Sequence, residues 1–228
     1  MHNIRLAVLL SLNAGFINAA GFIAFAVLTT NVTGHAALLA VNIASGKWRA
    51  ARMVALWLFL FLAGAFTSSV YIRKAGPDKP YAYTMPIVGI ILILLFVVSF
   101  GANYNGSLIQ TEYFAGSLLF AMGMQNALVS IISGSVVRTT HLTGMFTDLG
   151  IDLSAVIFKQ HAQDRALRRK IVLRVAIIAC FLAGGLVGAG LFMVYKYEAF
   201  LVPVGLLLLV LMYDYFRIRL AHAVWHKL

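Results

Sequence analysis

Two Thr-Gly dipeptides lie within otherwise apolar stretches of this chain, at Thr33-Gly34 and Thr143-Gly144. Threonine can cap the first turn of a helix and glycine tolerates the backbone geometry of a break, so each dipeptide predicts the start of a short or interrupted helix. The free N–H groups and positive dipole end of such a helix attract anions and carbonyl oxygens. The two dipeptides therefore predict a substrate-binding cradle, with ordinary caps in connecting loops as the alternative.

Two asparagines, Asn18 and Asn126, stand at matching places in two apolar stretches. An amide in hydrocarbon usually forms a hydrogen bond with a neighbouring helix, and this role is compatible with lining a solute path. We therefore include both asparagines among the candidate substrate-binding residues.

Four side chains that can carry charge lie close to the second dipeptide or beside the first. Asp148 and Asp152 are four residues apart, which places them on one helical face. Carboxylates in a membrane segment are costly and indicate proton or cation coupling, unless Arg138 or the following basic loop pairs with them. His35 and His141 flank the dipeptides and are candidates for the same coupling. No pattern predicts a metal site, a cofactor or a catalytic residue.

The composition shows which elements position these residues. Apolar residues make up 62% of the 228-residue chain and charged residues only 11%, far from the composition of a soluble domain. A membrane-crossing helix needs about 20 mostly apolar residues. Stretches of this kind predict an all-α, polytopic transmembrane bundle that forms a single membrane domain, 1–228. They cover 6–28, 53–71, 85–101, 113–132, 172–194 and the shorter 200–215.

An internal repeat organises the chain into two sequence-related halves, 1–104 and 105–228. Residues 15–19 resemble 123–127, residues 31–34 resemble 141–144, and the sequence Phe-Leu-Ala-Gly at 61–64 recurs at 181–184. The Thr-Gly segments leave the topology open. Six full spans plus two polar short segments give an odd number of crossings per half and inverted repeats, whereas eight spans give parallel repeats.

The charge balance indicates how the chain lies in a membrane. Lys and Arg total 18 against seven acids, and most of these bases lie in short loops. This excess is typical of cytoplasmic loops, so both termini are predicted to be cytoplasmic. No nucleic-acid-binding motif accompanies the charge, which leaves the lipid bilayer as the expected partner and a homodimer as an open possibility.

Two segments carry a family resemblance. Met-Gly-Met-Gln-Asn-Ala at 122–127 and Thr-Thr-His-Leu-Thr-Gly-Met-Phe-Thr-Asp-Leu-Gly at 139–150 resemble the YoaK-type membrane proteins, the family of unknown function DUF1275. The resemblance covers nearly the entire chain and implies a multi-pass protein of the bacterial inner membrane. It implies no substrate or functional residue. The first half departs from the family pattern at His35, where a residue such as Asn tends to follow the Thr-Gly.

The sequence favours a secondary transporter or channel for a small polar or anionic solute, with proton coupling as a further expectation. One alternative is a membrane-embedded enzyme, a hydrolase or lipid-modifying protein, with His141 and Asp148 as an acid–base pair. No nucleophile or nucleotide motif supports it, so the enzyme is the less favoured interpretation and stays open. The other alternative is a membrane scaffold or sensor that transports nothing.

Overall fold

The structure, a computed structural model, describes residues 2–76, 80–132, 142–157 and 165–212. These residues are almost entirely helical, which confirms the predicted all-α class. The helices are α1 (His2–Phe25), α2 (Val32–Ala44), α3 (Trp48–Ala75), α4 (Thr84–Gly101), α5 (Leu108–Ile132), α6 (Leu142–Ile157), α7 (Arg165–Tyr195) and α8 (201–212). Short 3₁₀ segments, Pro80–Tyr83 and Lys196–Phe200, precede α4 and α8.

The long helices have the length and composition of membrane spans. Five helical segments of the described chain are long and apolar enough to cross a bilayer: Leu6–Phe25, Trp48–Ala75, Thr84–Gly101, Leu108–Ile131 and Arg165–Met212. Large apolar side chains also cover their outer faces, which water would not tolerate over so wide an area. The protein is therefore a multi-span membrane protein.

The last of these segments contains a chain reversal. Lys196, at the end of α7, has a φ of 51°, a left-handed conformation that interrupts the helix. The rings of Phe192 and Phe200 lie 6.1 Å apart, whereas a straight helix would separate eight residues by about 12 Å. The segment thus supplies two helices, α7 and the start of α8.

Backbone contact at glycines joins α1 to α7. A Cβ atom added to Gly15 would overlap the carbonyl oxygen of Phe181, and one added to Gly184 would overlap that of Leu12. Only residues without a side chain let two helices approach this closely, as in membrane helix pairs with small residues at the crossing. This is the most extensive helix–helix contact in the described structure.

The same contact recurs between α3 and α5. A Cβ atom on Gly123 would overlap the carbonyl oxygen of Phe61, and one on Gly64 would overlap that of Phe120. All four residues are repeat partners of those at the α1–α7 crossing. The repeated Phe-Leu-Ala-Gly sequence therefore has a packing role, since each copy forms half of one glycine crossing.

The directions of the helices show that the halves are inverted. Along α1 and α5, Asn13 bonds to Gln125 at 2.8 Å and the Phe25 ring stacks on Phe114 at 5.4 Å, so the two helices run antiparallel. By contrast, α1 and α7 run parallel, because Phe25 also lies 6.0 Å from the ring of Tyr197. The first helices of the two halves thus point in opposite directions.

Inversion also decides between the six-span and eight-span alternatives. Inverted halves require an odd number of membrane crossings in each half. The first half has three crossings in α1, α3 and α4, and a fourth crossing by α2 would make the number even. The same holds for α6 in the second half. The length of α2 agrees, since 13 residues extend about 20 Å, less than the roughly 30 Å hydrocarbon core. Each half therefore adds one helix, α2 or α6, to its membrane-crossing helices, and α8 is described only as far as residue 212.

Candidate functional site

The short helix α2 begins at an asparagine cap. The Asn31 side-chain oxygen accepts a hydrogen bond from the Gly34 N–H at 3.0 Å, which satisfies one of the free donors of the first turn. The prediction that α2 starts after a Thr33 cap was therefore wrong by two residues. The asparagine two positions earlier reaches the same donors, and Thr33 is the second residue of the helix.

The loop between α1 and α2 turns back into the bundle. The Thr30 N–H donates to the side-chain oxygen of Asn18 at 3.1 Å, although Asn18 lies seven residues before the end of α1. The His35 ring nitrogen Nε2 contacts the Leu28 carbonyl oxygen at 2.8 Å, a distance at which its N–H donates. These bonds hold the loop at the level of Asn18, so α2 begins deep in the bundle and returns toward the end at which α1 finished.

The position of α2 against α3 gives the depth of its first turn. The two helices form an antiparallel pair joined by a short turn, and the His35 ring lies 5.4 Å from the ring of Trp57. The N-terminus of α2 therefore faces α3 beyond Trp57, near Phe61. Phe61 is the fourteenth of the 28 residues of α3. The first turn of α2 consequently lies at about the middle of a full span.

A cavity of about 470 Å³ joins the beginnings of both short helices. Four repeat-related pairs line it: Asn18 with Asn126, Val32 with Leu142, Thr33 with Thr143, and Phe61 with Phe181. Leu28, Thr30 and Asn31 also line it. Because Phe61 and Phe181 are both central in their helices, the cavity lies at mid-height of the bundle. The two halves therefore contribute equivalent residues to one site.

The remaining predicted binding residues lie just behind this lining. Gly34 follows Thr33 in the first turn of α2, and its N–H forms the bond to the Asn31 cap. Gly144 follows Thr143 in the first turn of α6 and does not appear among the lining residues. The two glycines thus belong to the helix starts, while the threonines and asparagines face the cavity.

Neither acid lines the cavity. Asp148 and Asp152 form ion pairs with Arg174 of α7, the first at 3.2 Å. The Asp148 side chain is 51% exposed, whereas those of Asp152 and Arg174 are only 14% and 18% exposed. A basic partner of both acids is therefore in α7, and the ion pairs of the described residues join two carboxylates to one guanidinium.

The histidines differ in what the structure says of them. His35 is buried between the loop and α3 and does not line the cavity. Its contact with the Leu28 carbonyl gives it a role in holding the loop. His141 and Arg138 lie outside the described residues. Coupling through any of the four predicted groups, His35, His141, Asp148 and Asp152, stays a prediction.

A buried pair of amides beside the site was not singled out from the sequence. Asn13 donates to the Gln125 side-chain oxygen at 2.8 Å, and Gln125 donates to the Leu10 carbonyl oxygen at 2.7 Å. Both side chains are almost fully buried. Two amide side chains at one depth in antiparallel helices would have indicated this hydrogen bond. To find it, one must know that α1 packs against α5.

The described lining of the cavity offers donors without fixed charge. The first turn of α2 lies at the cavity and Leu142 and Thr143 of α6 line it, while the asparagine amides and threonine hydroxyls supply donors and acceptors. Phe61 and Phe181 supply apolar walls. No Lys, Arg, Asp or Glu lines the cavity among the residues described. Such a lining can hold a small solute that carries negative or partially negative atoms.

Fold and cavity together define a class: a helical membrane protein with two inverted halves, each contributing a short helix that starts at a shared central cavity. The chain belongs to the family described as a protein of unknown function (DUF1275), whose model matches residues 6–213. This confirms the resemblance found in the sequence. No curated protein and no solved structure matches the chain.

Proposed function

We propose that this protein is a secondary transporter or channel that moves a small polar or anionic solute through the central cavity. The observation that carries the proposal is that equivalent residues of both halves line one cavity at mid-height of the bundle. Polar backbone is tolerated at membrane depth only where protein or water covers it. A pair of helix starts at a shared cavity is also the arrangement by which many transporters bind solutes between inverted repeats.

Electrostatics favour an anion or a carbonyl-bearing solute over a cation. The first turn of α2 lies at the cavity and Leu142 and Thr143 of α6 line it, so the dipoles of the two helices would present their positive ends to the solute from two sides. In a low-dielectric surrounding these partial charges act strongly, and half-helix dipoles of this kind can exclude cations and protons from a pore. The solute would therefore place acceptor atoms near Thr33 and Thr143, with Asn18 and Asn126 beside it.

Flux in proteoliposomes tests the proposal. Purified protein is reconstituted, and the uptake of formate as an anion and urea as a neutral carbonyl compound is followed by light scattering. Asn18→Leu and Asn126→Leu should each lower the flux by about tenfold or more, because each removes a donor where the bound solute is desolvated. Asn103→Leu, a change in an exposed loop, is the matched control and should leave flux unchanged.

Two results would count against transport. In the first, vesicles that contain folded protein are no more permeable to either solute than empty vesicles. In the second, the asparagine variants transport solute at the same rate as the Asn103→Leu control. A membrane-embedded enzyme or a scaffold would give the first result. Thermal unfolding of each variant in detergent separates a transport defect from a failure to fold.

Proton coupling forms part of the proposal and rests on the two carboxylates paired with Arg174. If protonation of these acids drives transport, Asp148→Asn and Asp152→Asn should abolish uptake driven by a pH gradient while preserving exchange of solute across the membrane. Glu198→Gln changes an exposed carboxylate elsewhere and provides the control. Gradient-driven uptake that survives in both aspartate variants would limit the proposal to uncoupled transport.

A further inference from the structure

The tightest packing in the protein joins helices from different halves. The first helix of one half packs on the third helix of the other, as α1 on α7 and α3 on α5. At both crossings the backbones touch at glycines, Gly15 and Gly184 in one and Gly64 and Gly123 in the other. Close backbone packing leaves little freedom for sliding, because interiors at this density respond as solids. We name these pairs unit A (α1 and α7) and unit B (α3 and α5).

Three further helices, α2, α4 and α6, each pack mainly on one unit. The short helix α6 packs on α7, where Arg174 also binds the carboxylates of α6, so it belongs with unit A. The short helix α2 packs on α3, and α4 packs on α5, so both belong with unit B. Each unit therefore carries one of the two helix starts that face the cavity.

The cavity lies between the units. Asn18 and Phe181 come from unit A, whereas Phe61 and Asn126 come from unit B. Neither unit forms the cavity by itself, because both contribute lining residues. A relative rotation of the units would therefore change the cavity from both sides at once, without disturbing the packing inside either unit.

Contact between the units is much less extensive than the packing inside them. It follows the α1–α5 line and includes a second contact of similar extent, between α4 of unit B and the 3₁₀ segment Lys196–Phe200 that follows α7. The α1–α5 contact is far smaller than either glycine crossing, and no comparable α3–α7 contact exists among the described residues. Near the middle of this line the Asn13 amide bonds to Gln125, and at one end Phe25 stacks on Phe114. A hydrogen bond close to a rotation axis is displaced little, whereas the ring contact at the end would be displaced most.

We propose that units A and B move as rigid bodies, rocking about an axis that crosses the α1–α5 contact near the Asn13–Gln125 bond, and that this rocking opens the cavity to alternate sides of the membrane. The moving parts are then not the two sequence halves but two assemblies that each combine helices of both. The inference rests on the proposed function, since it describes how the same cavity would load and release its solute. Rocking of packed bundles about a fixed site is a general mode of alternating access.

Cross-links within and between the units test this proposal. On a Cys180→Ala background, Ala19→Cys with Gly185→Cys places a pair inside unit A, where the two Cβ atoms would be 3.7 Å apart, close to the disulfide mean of about 3.8 Å. Phe25→Cys with Phe114→Cys, joined by a short bis-methanethiosulfonate that forms a reducible disulfide with each thiol, links unit A to unit B. Formate flux is then measured before linking, after linking and after reduction.

The within-unit disulfide should leave flux unchanged, and the between-unit link should lower it by about tenfold or more, reversibly on reduction, because alternating access needs the units to move. Flux that survives the between-unit link would overturn the inference and leave a channel. Loss of flux with the within-unit disulfide would overturn it as well. An absence of flux before linking counts against the proposed function instead.

A second measurement needs no flux and no change in the core. Spin labels on the exposed side chains Phe22, Val194 and Leu108 report distances within unit A (Phe22 to Val194) and between units (Phe22 to Leu108). The between-unit distance should be broad or double, and the within-unit distance narrow. Equal widths for the two distances would overturn the inference whether or not the protein transports.

Discussion

Replacing Gly184 with alanine tests the packing on which the whole architecture depends. The added Cβ would overlap the Leu12 carbonyl oxygen, whereas carbon and oxygen normally approach no closer than about 3.3 Å. Overpacking costs about 1–3 kcal/mol, and the obstacle here is backbone that cannot rotate away, which favours the upper half of that range. Alanine also has a helix propensity about 1 kcal/mol better than glycine. The net expected loss is about 1–2 kcal/mol.

Thermal unfolding in detergent measures this effect, with Gly190→Ala as the matched control. Gly190 lies on the same helix, but a Cβ there would meet nothing within 4 Å, so its substitution should be neutral or stabilising. For a protein of this size a loss of 1–2 kcal/mol lowers the melting temperature by about 2–8 °C. Equal melting temperatures for the Gly184 and Gly190 variants would refute the reasoning, since the two changes differ only in what the new methyl group meets.

A double variant extends the test to the second crossing. Gly64→Ala should destabilise the protein as Gly184→Ala does, because its Cβ would overlap the Phe120 carbonyl oxygen. The two glycines lie in different crossings, so their effects should add within about 0.5 kcal/mol. Gly15→Ala lies in the same crossing as Gly184→Ala, and that pair should cost less than the sum because one separation of the helices relieves both overlaps.

Three further predictions concern polar contacts, each measured by unfolding in detergent. Gln125→Leu removes the partner of the buried Asn13 amide and should lower the free energy of unfolding by about 1–3 kcal/mol. Adding Asn13→Leu should restore part of this stability, because no amide is then left unpaired. A double variant less stable than the Gln125 variant would contradict this. Arg174→Leu removes the described ion-pair partner of Asp148 and Asp152 and should destabilise the protein by up to about 3 kcal/mol, with Arg174→Lys milder. Asn31→Ala removes a helix cap and should cost about 1 kcal/mol, whereas Asn31→Gly should cost only a few tenths.

Much of the fold could be predicted from the sequence because the bilayer imposes a strong rule on composition. Long apolar stretches specify helices, since backbone polar groups in hydrocarbon must be satisfied within the segment. The repeat likewise indicated that Asn18 and Asn126, and Thr33 and Thr143, occupy equivalent places. The sequence could not predict whether these equivalent residues face each other across one cavity. The periodicity of a helix shows which of its faces is buried, but not which neighbouring helix packs against that face.

The site shows the same division. The types of residue at Asn18, Thr33, Asn126 and Thr143 were apparent from the sequence, and the structure places all four around one cavity. The cap was misplaced at Thr33, since Asn31 and Thr33 are both good caps and only the loop conformation selects between them. For Asp148, the sequence offered Arg138 or the basic residues after α6 as partners, and the structure shows an ion pair with Arg174, which depends on the packing of α6 on α7.

The sequence alone determined that this is a helical membrane protein of two related halves. Lipid solvates every residue of a span separately, so the apolar composition of the spans can be read directly from the sequence. Only the tertiary structure decided that the halves are inverted, that each unit mixes helices of both, and that two short helices begin at one cavity. The reason is physical: glycine backbones pack wherever two surfaces fit, and the fit of α1 to α7 is a property of two distant segments together.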